Sequence, residues 1–98
     1  MGQLRTVRES PEALGVVEYL RRRTPRFDQL WDAWIWRLAH SPLAGATPVP
    51  NTTPQVYLIK SSPLLNVYGF AFTLTFKFTV TDDEVDLLSV RIVDVPQP

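Results

Sequence analysis

The chain has 98 residues, of which 45% are hydrophobic and 20% are charged, and its ten basic and ten acidic side chains cancel. This composition is ordinary for a globular protein, and the length suits a single domain over residues 1–98. A net charge of zero excludes a global field that would draw the chain onto nucleic acid or a membrane. The lack of cysteine excludes a disulfide framework and a thiolate metal site. With no signal-peptide pattern and no apolar run of about 20 residues, we expect a cytoplasmic protein without a membrane partner.

The N-terminal part predicts a weak strand or arm over residues 1–9, followed by a helix. Ser10-Pro11-Glu12 is typical of a helix start, because serine caps free amides, proline is tolerated first and glutamate favours the positive end of the helix dipole. The helix is expected to end near Arg22 or Arg23, whose charges suit the negative end. Its predicted inward side chains are Leu14, Val17 and Leu20.

A second helix is predicted from Thr24-Pro25, which repeats the start signal, to the residue before Ser41-Pro42. Its apolar stripe has helical spacing and comprises Phe27, Leu30, Trp31, Trp34, Ile35 and Leu38. Trp36 lies off that stripe, which predicts contact with a partner chain. Residues 10–40 therefore form a predicted helical hairpin.

The second half predicts a proline-rich loop over residues 41–54 and an antiparallel meander over residues 55–95. QVYLIK, residues 55–60, has the composition of a strand, and residues 61–68 form a connection because Pro63 cannot donate to a strand ladder. In FAFTLTFKFTV, large apolar residues occupy every second position, and Ala71, the threonines and Lys77 lie between them. This period of two predicts a strand with one buried face and one face rich in threonine.

The register of the last hairpin depends on its turn, and two turns compete. A two-residue turn would place Arg91 and Ser89 among the phenylalanines, and burying an unpaired charge there would cost several kcal/mol. A three-residue loop over 82–84 avoids this and is therefore predicted. Its core pairs are Phe78 with Leu88, Phe76 with Val90, and Leu74 with Ile92, and its outer pairs are Thr79 with Leu87, Lys77 with Ser89, and Thr75 with Arg91. Lys77 and Arg91 then become neighbours on a face lined with hydroxyl groups.

Two sequence segments make this pattern more specific: LWDAWIWRLAHSPLAG, which leads to YLIK, and FTLTFKFTVTDDEVDLLSVRI. Over roughly residues 25–93 the chain resembles the RelE/ParE superfamily of toxins, in which an aromatic strand, an acidic turn and a V-x-L-L-x-V strand follow one another. The resemblance implies an α+β fold, with the N-terminal helical hairpin packed on one face of a three- to four-stranded antiparallel β-meander. It also implies a prokaryotic type II toxin–antitoxin system, with an antitoxin protein as partner.

The resemblance leaves two functions open. RelE-type members cleave mRNA on the ribosome with basic side chains of the sheet, which implies a metal-independent endoribonuclease whose catalytic residues are Lys60, Lys77 and Arg91. ParE-type members inhibit DNA gyrase without cleavage, which implies a toxin-fold protein that acts by protein binding. The candidate binding residues on the hairpin are Arg21, Arg22, Arg26 and Trp36. The paired basic residues favour the first function, whereas zero net charge and an ending just after the last strand favour the second.

Few other side chains qualify for acid–base chemistry. His40, Tyr57 and Tyr68 remain as candidates, although a histidine that closes a helix also suits the helix dipole. The acidic run Asp82-Asp83-Glu84 lacks the spacing of a calcium loop and is typical of a turn. We therefore expect neither a metal nor another cofactor.

Overall fold

The computed structural model describes residues 4–96, which form an α+β fold, as predicted. In chain order, the helices and strands of these residues are β1 (Thr6–Glu9), α1 (Pro11–Arg23), α2 (Phe27–His40), β2 (Thr47–Pro48), β3 (Val56–Lys60), β4 (Leu64–Leu65), β5 (Ala71–Val80) and β6 (Glu84–Asp94). Of the predicted strand or arm over residues 1–9, residues 1–3 lie outside the described residues. The remainder of that segment contains β1.

The strands form one mixed sheet rather than the predicted antiparallel meander of three to four strands. Within residues 4–96 the sheet has six strands in the order β1-β6-β5-β3-β2, and β4 pairs with the start of β5. β1 runs parallel to β6, and every other pairing is antiparallel. In chain order the helical hairpin lies between β1 and the meander, and this connection lets β1 pair with β6 at the edge of the sheet.

Two of the additional strands lie in segments predicted to be irregular. β2 lies inside the proline-rich loop and pairs with Tyr57 and Leu58 of β3. Pro48 is tolerated there because β2 is an edge strand, where a missing amide donor leaves no ladder partner unpaired. β4 lies in the connection after β3, where Leu64 and Leu65 pair with the first residues of β5.

Helix α1 starts and ends where the sequence predicts, but its buried stripe is shifted. The Ser10 hydroxyl accepts a hydrogen bond from the Ala13 amide (3.0 Å), and the helix ends at Arg23. Leu14, predicted to point inward, is 44% exposed, whereas Ala13 is fully buried. Val17 and Leu20 are buried as predicted, so the buried stripe includes Ala13 in place of Leu14.

Helix α2 starts at Phe27, not at Thr24. Arg26 precedes it in the left-handed conformation (φ 57°), and no side chain caps the helix. The Phe27 amide donates to the Thr24 carbonyl (3.2 Å), so Thr24 closes a turn through its backbone. The helix ends at His40, ahead of Ser41-Pro42, as predicted.

The apolar stripe of α2, which its spacing predicts to be buried, packs against the centre of β5. The rings of Trp31 and Trp34 contact Phe76, with ring centroids 5.9 Å and 4.4 Å apart. Phe27 stacks on Trp31 at 5.8 Å and is also buried. The inward residues of α1 join the same core, so both helices cover one face of the sheet.

A β-bulge in β6 gives the hairpin both of the registers considered from the sequence, one on each side of the bulge. Next to the turn, Phe78 pairs with Leu87 and Thr79 with Asp86, as a two-residue turn requires; the predicted pairs of Phe78 with Leu88 and Thr79 with Leu87 are therefore wrong. From Lys77 onward the pairing is the predicted one, with Lys77 opposite Ser89 and Thr75 opposite Arg91. The extra residue is Leu88, which is partly exposed. It lets both halves of β6 present apolar residues to the core while Arg91 stays outside.

Ser10 links the bulge to the start of α1. Its amide donates to the Leu87 carbonyl (3.0 Å), and its hydroxyl donates to the Leu88 carbonyl (2.7 Å) while accepting from Ala13. One serine therefore satisfies the carbonyls of the bulge and caps the helix that follows β1.

We predict that Ser10→Ala lowers the free energy of unfolding by about 1–2 kcal/mol, because it removes both the cap and a bond to the bulge. Ser62→Ala is the matched control, since the Ser62 hydroxyl makes no hydrogen bond to any residue in the range 4–96. Chemical denaturation of both variants provides the measurement. Equal stability of the two variants would contradict the role assigned to Ser10.

We also predict that Phe76→Ala lowers the free energy of unfolding by about 3–5 kcal/mol, because the cavity would lie between two tryptophans and the sheet. Phe70→Ala makes the same chemical change at an exposed position and should cost far less. Thermal or denaturant unfolding compares the two. A similar loss for both would contradict the proposed core.

Candidate functional site

The face of the sheet opposite the helices carries the polar half of β5. Thr73, Thr75, Lys77 and Thr79 alternate with the buried phenylalanines and leucine of the same strand. Across this face Thr75 pairs with Lys60 and Arg91, and Lys77 pairs with Leu58 and Ser89. Lys60, Lys77 and Arg91 therefore share one face, on three neighbouring strands. We call this the open face.

The three basic residues form a triangle on the open face. Lys77 is diagonal to both Lys60 and Arg91, which corresponds to about 7–8 Å between the Cα atoms of each pair. Lys60 and Arg91 flank Thr75, so two strand spacings of together about 10 Å separate them. These spacings let all three side chains reach one extended anion.

All three basic residues are exposed. Within the described part of the chain, the ion pairs are Arg8 with Glu84 and Arg21 with Glu18 and Asp28, so none involves this triangle. Neither lysine nor Arg91 donates a hydrogen bond to any described residue. Their charges are therefore available to a ligand.

The open face is concave between the proline-rich loop and the start of α1. A hollow of about 500 Å³ has Leu58, Thr75, Lys77, Ser89 and Arg91 in its lining. Val49 of the loop and Glu12 of α1 also line it. An adjoining hollow of about 420 Å³ shares Leu58 and Thr75 and extends to Lys60 and Gly45. Together the two hollows form a trough that crosses β6, β5 and β3.

Glu12 is a functional candidate that the sequence pattern does not single out. In the sequence it marks a helix start, and its first-turn position in α1 agrees with that role. The structure also brings it to the lining of the hollow that contains Lys77 and Arg91. A carboxylate that lines the same hollow as two cations and two hydroxyl-bearing residues can accept a proton from a ligand bound there, while the cations stabilise negative charge.

The other acid–base candidates lie away from the trough. The His40 ring stacks on Trp36 at 4.1 Å, and its Nδ1 lies 2.8 Å from the Trp36 carbonyl oxygen. Tyr57 stacks on Phe78 on the helix-covered side, with centroids 6.0 Å apart. Tyr68 is exposed in the turn between β4 and β5. None of the three lines the trough.

The predicted binding residues of the hairpin do not form one cluster. Arg21 donates from Nε to Asp28 (2.7 Å) and pairs with Glu18. The hydrogen bond to Asp28 raises the pKa of Arg21 above its ordinary value. Trp36 is 63% exposed but lies ten residues after Arg26, about 15 Å along α2. Arg22 and Arg26 are exposed, and no ion pair within residues 4–96 involves them.

Neither a metal centre nor a membrane span is found in the described residues. Residues 4–96 contain no group of three or more histidine, aspartate or glutamate side chains that could hold a metal ion. In the same range, neither helix is long and apolar enough to cross a membrane.

Comparison with known proteins assigns the chain to no family. No family model matches it, and no curated protein and no solved structure is significantly similar to it. Its function is therefore inferred from its own residues.

Proposed function

We propose that the open face binds the sugar–phosphate backbone of RNA, and that the chain is the RelE-like toxin of a type II toxin–antitoxin system. The observation that carries this proposal is the triangle of Lys60, Lys77 and Arg91, exposed and without ion-pair partners among the described residues, on one concave face. The order of a strand, a helical hairpin and a sheet built around β5 also supports the toxin-like assignment. The antitoxin protein and the mRNA on the ribosome are the partners that this proposal implies.

The trough suits single-stranded RNA better than a small anion. Cations on three adjacent strands follow the path of an extended backbone, and rigid strands hold them in place without a cost in loop ordering. Thr75 and Ser89 supply hydroxyl groups between the charges, and these can bond to phosphate or ribose oxygens. Among the described residues, no aromatic ring lines either hollow, so we expect binding that depends little on base sequence.

Cleavage without a metal needs a base and fixed positive charge. In the proposed reaction the Glu12 carboxylate takes the proton of the ribose 2′-hydroxyl, and the 2′-oxygen forms a bond to phosphorus. Lys77 and Arg91 stabilise the charge on the phosphorane oxygens. The bond from phosphorus to the 5′-oxygen then breaks, and water donates the proton that this oxygen needs. The products carry a 2′,3′-cyclic phosphate and a 5′-hydroxyl group.

We predict that Lys77→Ala/Arg91→Ala weakens binding to a labelled single-stranded RNA by about tenfold or more, since two charge-assisted contacts are lost. The slope of log affinity against log salt should fall in magnitude by about 1.4, at about 0.7 per phosphate contact. Fluorescence anisotropy at several salt concentrations measures both. The free energy of unfolding should change by no more than about 0.5 kcal/mol, because neither side chain has an ion-pair or hydrogen-bond partner among residues 4–96.

Arg22→Ala/Arg26→Ala is the matched control, because it removes two exposed cations that lie outside the trough. It should leave RNA affinity nearly unchanged. If both double variants weaken RNA equally, binding follows overall charge and the assignment to the open face is wrong.

We predict that Glu12→Gln binds RNA at least as well as the unchanged chain but cleaves it about 100-fold more slowly, because the base is lost while the cations remain. Single-turnover cleavage of a labelled RNA, with mapping of the cut ends, gives the measurement. Full activity of Glu12→Gln would rule out Glu12 as the base.

Trp36 supports a second candidate function, that of a ParE-like or degenerate toxin-fold protein that acts by protein binding. A tryptophan that is 63% exposed on a helix is typical of an interface residue, and DNA gyrase is the target that the ParE-type resemblance implies. Bacterial growth after induction separates the two functions. Arrest that survives Lys77→Ala/Arg91→Ala but is lost in Trp36→Ala favours the protein-binding function. Either function acts in the cytoplasm.

A further inference from the structure

The two hollows of the trough differ in their chemistry. The β3 hollow, of about 420 Å³, is lined by Gly45, Thr47, Leu58, Ile59, Lys60 and Thr75. The β6 hollow, of about 500 Å³, has in its lining Glu12, Lys77, Ser89 and Arg91. A carboxylate therefore lines the β6 hollow, whereas no carboxylate of residues 4–96 lines the β3 hollow.

The β3 hollow brings together hydrogen-bond donors that lack acceptors. The hydroxyl groups of Thr47 and Thr75 and the ammonium group of Lys60 donate to no residue in the range 4–96. The Gly45 amide likewise donates to no described residue. Gly45, Thr47 and Lys60 are exposed and Thr75 is partly exposed, so a ligand can reach them. Four donors, one of them charged, fit an anion that carries several oxygen atoms.

The strand register places the side chains of this hollow on the open face. Thr47 pairs with Leu58, and Leu58 pairs in turn with Lys77. Residues that pair directly across strands lie on the same face of a sheet. Lys60 follows Leu58 by two residues and pairs with Thr75, so it lies on that face as well.

Gly45 gives the β3 hollow a wall of bare backbone. It takes the left-handed conformation (φ +76°), which favours glycine. A Cβ atom at this position would lie 3.3 Å from Nη2 of Arg37. The same nitrogen donates to the Ala44 carbonyl (3.1 Å) and so holds the loop beside Gly45. No ion pair in the described part of the chain involves Arg37, so its charge adds to that of Lys60.

The base of the proposed reaction and the β3 hollow lie on opposite sides of β5. Arg91 of β6 and Lys60 of β3 flank Thr75 of β5. Glu12 belongs to α1, which packs against β6 and not against β3. Ser10, at the start of that helix, bonds to a carbonyl of β6. Glu12 is therefore at the β6 end of the trough, and Lys60 is at the β3 end.

This order gives the bound strand a direction. In the proposed cleavage the attacking 2′-oxygen and the leaving 5′-oxygen lie roughly in line on opposite sides of phosphorus. The 2′-oxygen lies next to Glu12, so the leaving oxygen points away from β6 and toward β3. Beyond that oxygen the strand continues to its next phosphate on the 3′ side. Lys60 is diagonal to Lys77, about 7–8 Å between Cα atoms, so the two lysines can hold neighbouring phosphates.

We propose that the β3 hollow binds the phosphate group on the 3′ side of the scissile bond. Lys60 supplies the charge, and the hydroxyl groups of Thr47 and Thr75 and the Gly45 amide supply hydrogen bonds. This assignment rests on the proposed function. It narrows the substrate class to RNA that continues for at least one phosphate beyond the cut, and it makes Lys60 a substrate-binding residue.

The test uses three 2′-deoxy dinucleotides, which bind without cleavage because the attacking hydroxyl group is missing. One carries a terminal 3′-phosphate, one carries a terminal 5′-phosphate and one carries neither. Inorganic phosphate is the fourth probe, because an isolated anion offers the same chemistry. Nuclear magnetic resonance titration of the isotope-labelled chain measures each Kd and the shift of the Gly45 amide.

The 3′-phosphate should tighten the Kd about tenfold and shift the Gly45 amide, since it adds charge-assisted hydrogen bonds. The 5′-phosphate should tighten it by less than about twofold, because that group lies at the other end of the strand. Inorganic phosphate at the same concentration should leave the Gly45 amide nearly unchanged.

Two variants and a matched control test the residues of the hollow. Lys60→Ala and Thr47→Val should each reduce the gain from the 3′-phosphate to about twofold or less, because the contact that produces the gain is removed. Thr79→Val should keep the whole gain, since Thr79 lies on the same face but lines neither hollow. The gain is a ratio of two affinities for one variant, so a general loss of affinity cancels.

Equal affinities with and without the 3′-phosphate would overturn this inference and leave the proposed function standing. A gain from the 5′-phosphate instead would reverse the direction of the strand and overturn it as well. An equal shift of the Gly45 amide with inorganic phosphate would show an isolated anion site. If none of the three dinucleotides binds, the inference and the proposed function are both wrong.

Discussion

The pairing between β5 and β6 is the constraint on which both faces of this sheet depend. A strand alternates its side chains, so a register change of one residue would exchange the core residues of β6 with its polar ones. The bulge at Leu88 shifts the register by one residue. Next to the turn, β6 pairs with β5 in the register of a two-residue turn, and beyond the bulge it pairs in the register of a three-residue loop. It buries Leu87 and Val90 and leaves Arg91 on the open face. Ser10 bonds to the carbonyls at this point, so α1 starts at a place that the bulge defines.

The same pairing explains how a chain of zero net charge can carry a cationic site. Many of its charges are used locally: Arg8 pairs with Glu84, and Arg21 bonds to two carboxylates. Arg5 donates to the Thr81 carbonyl. The cations that lack such partners within the described residues include the three of the open face, which three adjacent strands bring close together. Their electrostatic field is local, so the net charge of the chain does not reveal it.

Patterns within a single element were predictable from the sequence, whereas relations between elements were predictable only in part. The alternation of β5 and the stripe of α2 identify Phe76 and Trp31 as core residues, because their periods leave one solution each. Lys77 and Arg91 could be placed on one face because burying an arginine is costly. The structure keeps Arg91 exposed by a bulge at Leu88 and not by a three-residue loop. The residues of the turn do not predict that bulge. Glu12 reaches the trough only through the packing of α1, so no local pattern marks it.

We expect nucleic acid to contact the open face and not the helical hairpin. Nuclear magnetic resonance of the isotope-labelled chain, titrated with a short single-stranded RNA, tests it residue by residue. The largest shifts should fall on Thr75, Lys77, Ser89 and Arg91, with none around Trp36. Shifts centred on Trp36 and the arginines of the hairpin, with the open face unchanged, would show that RNA binds the hairpin instead.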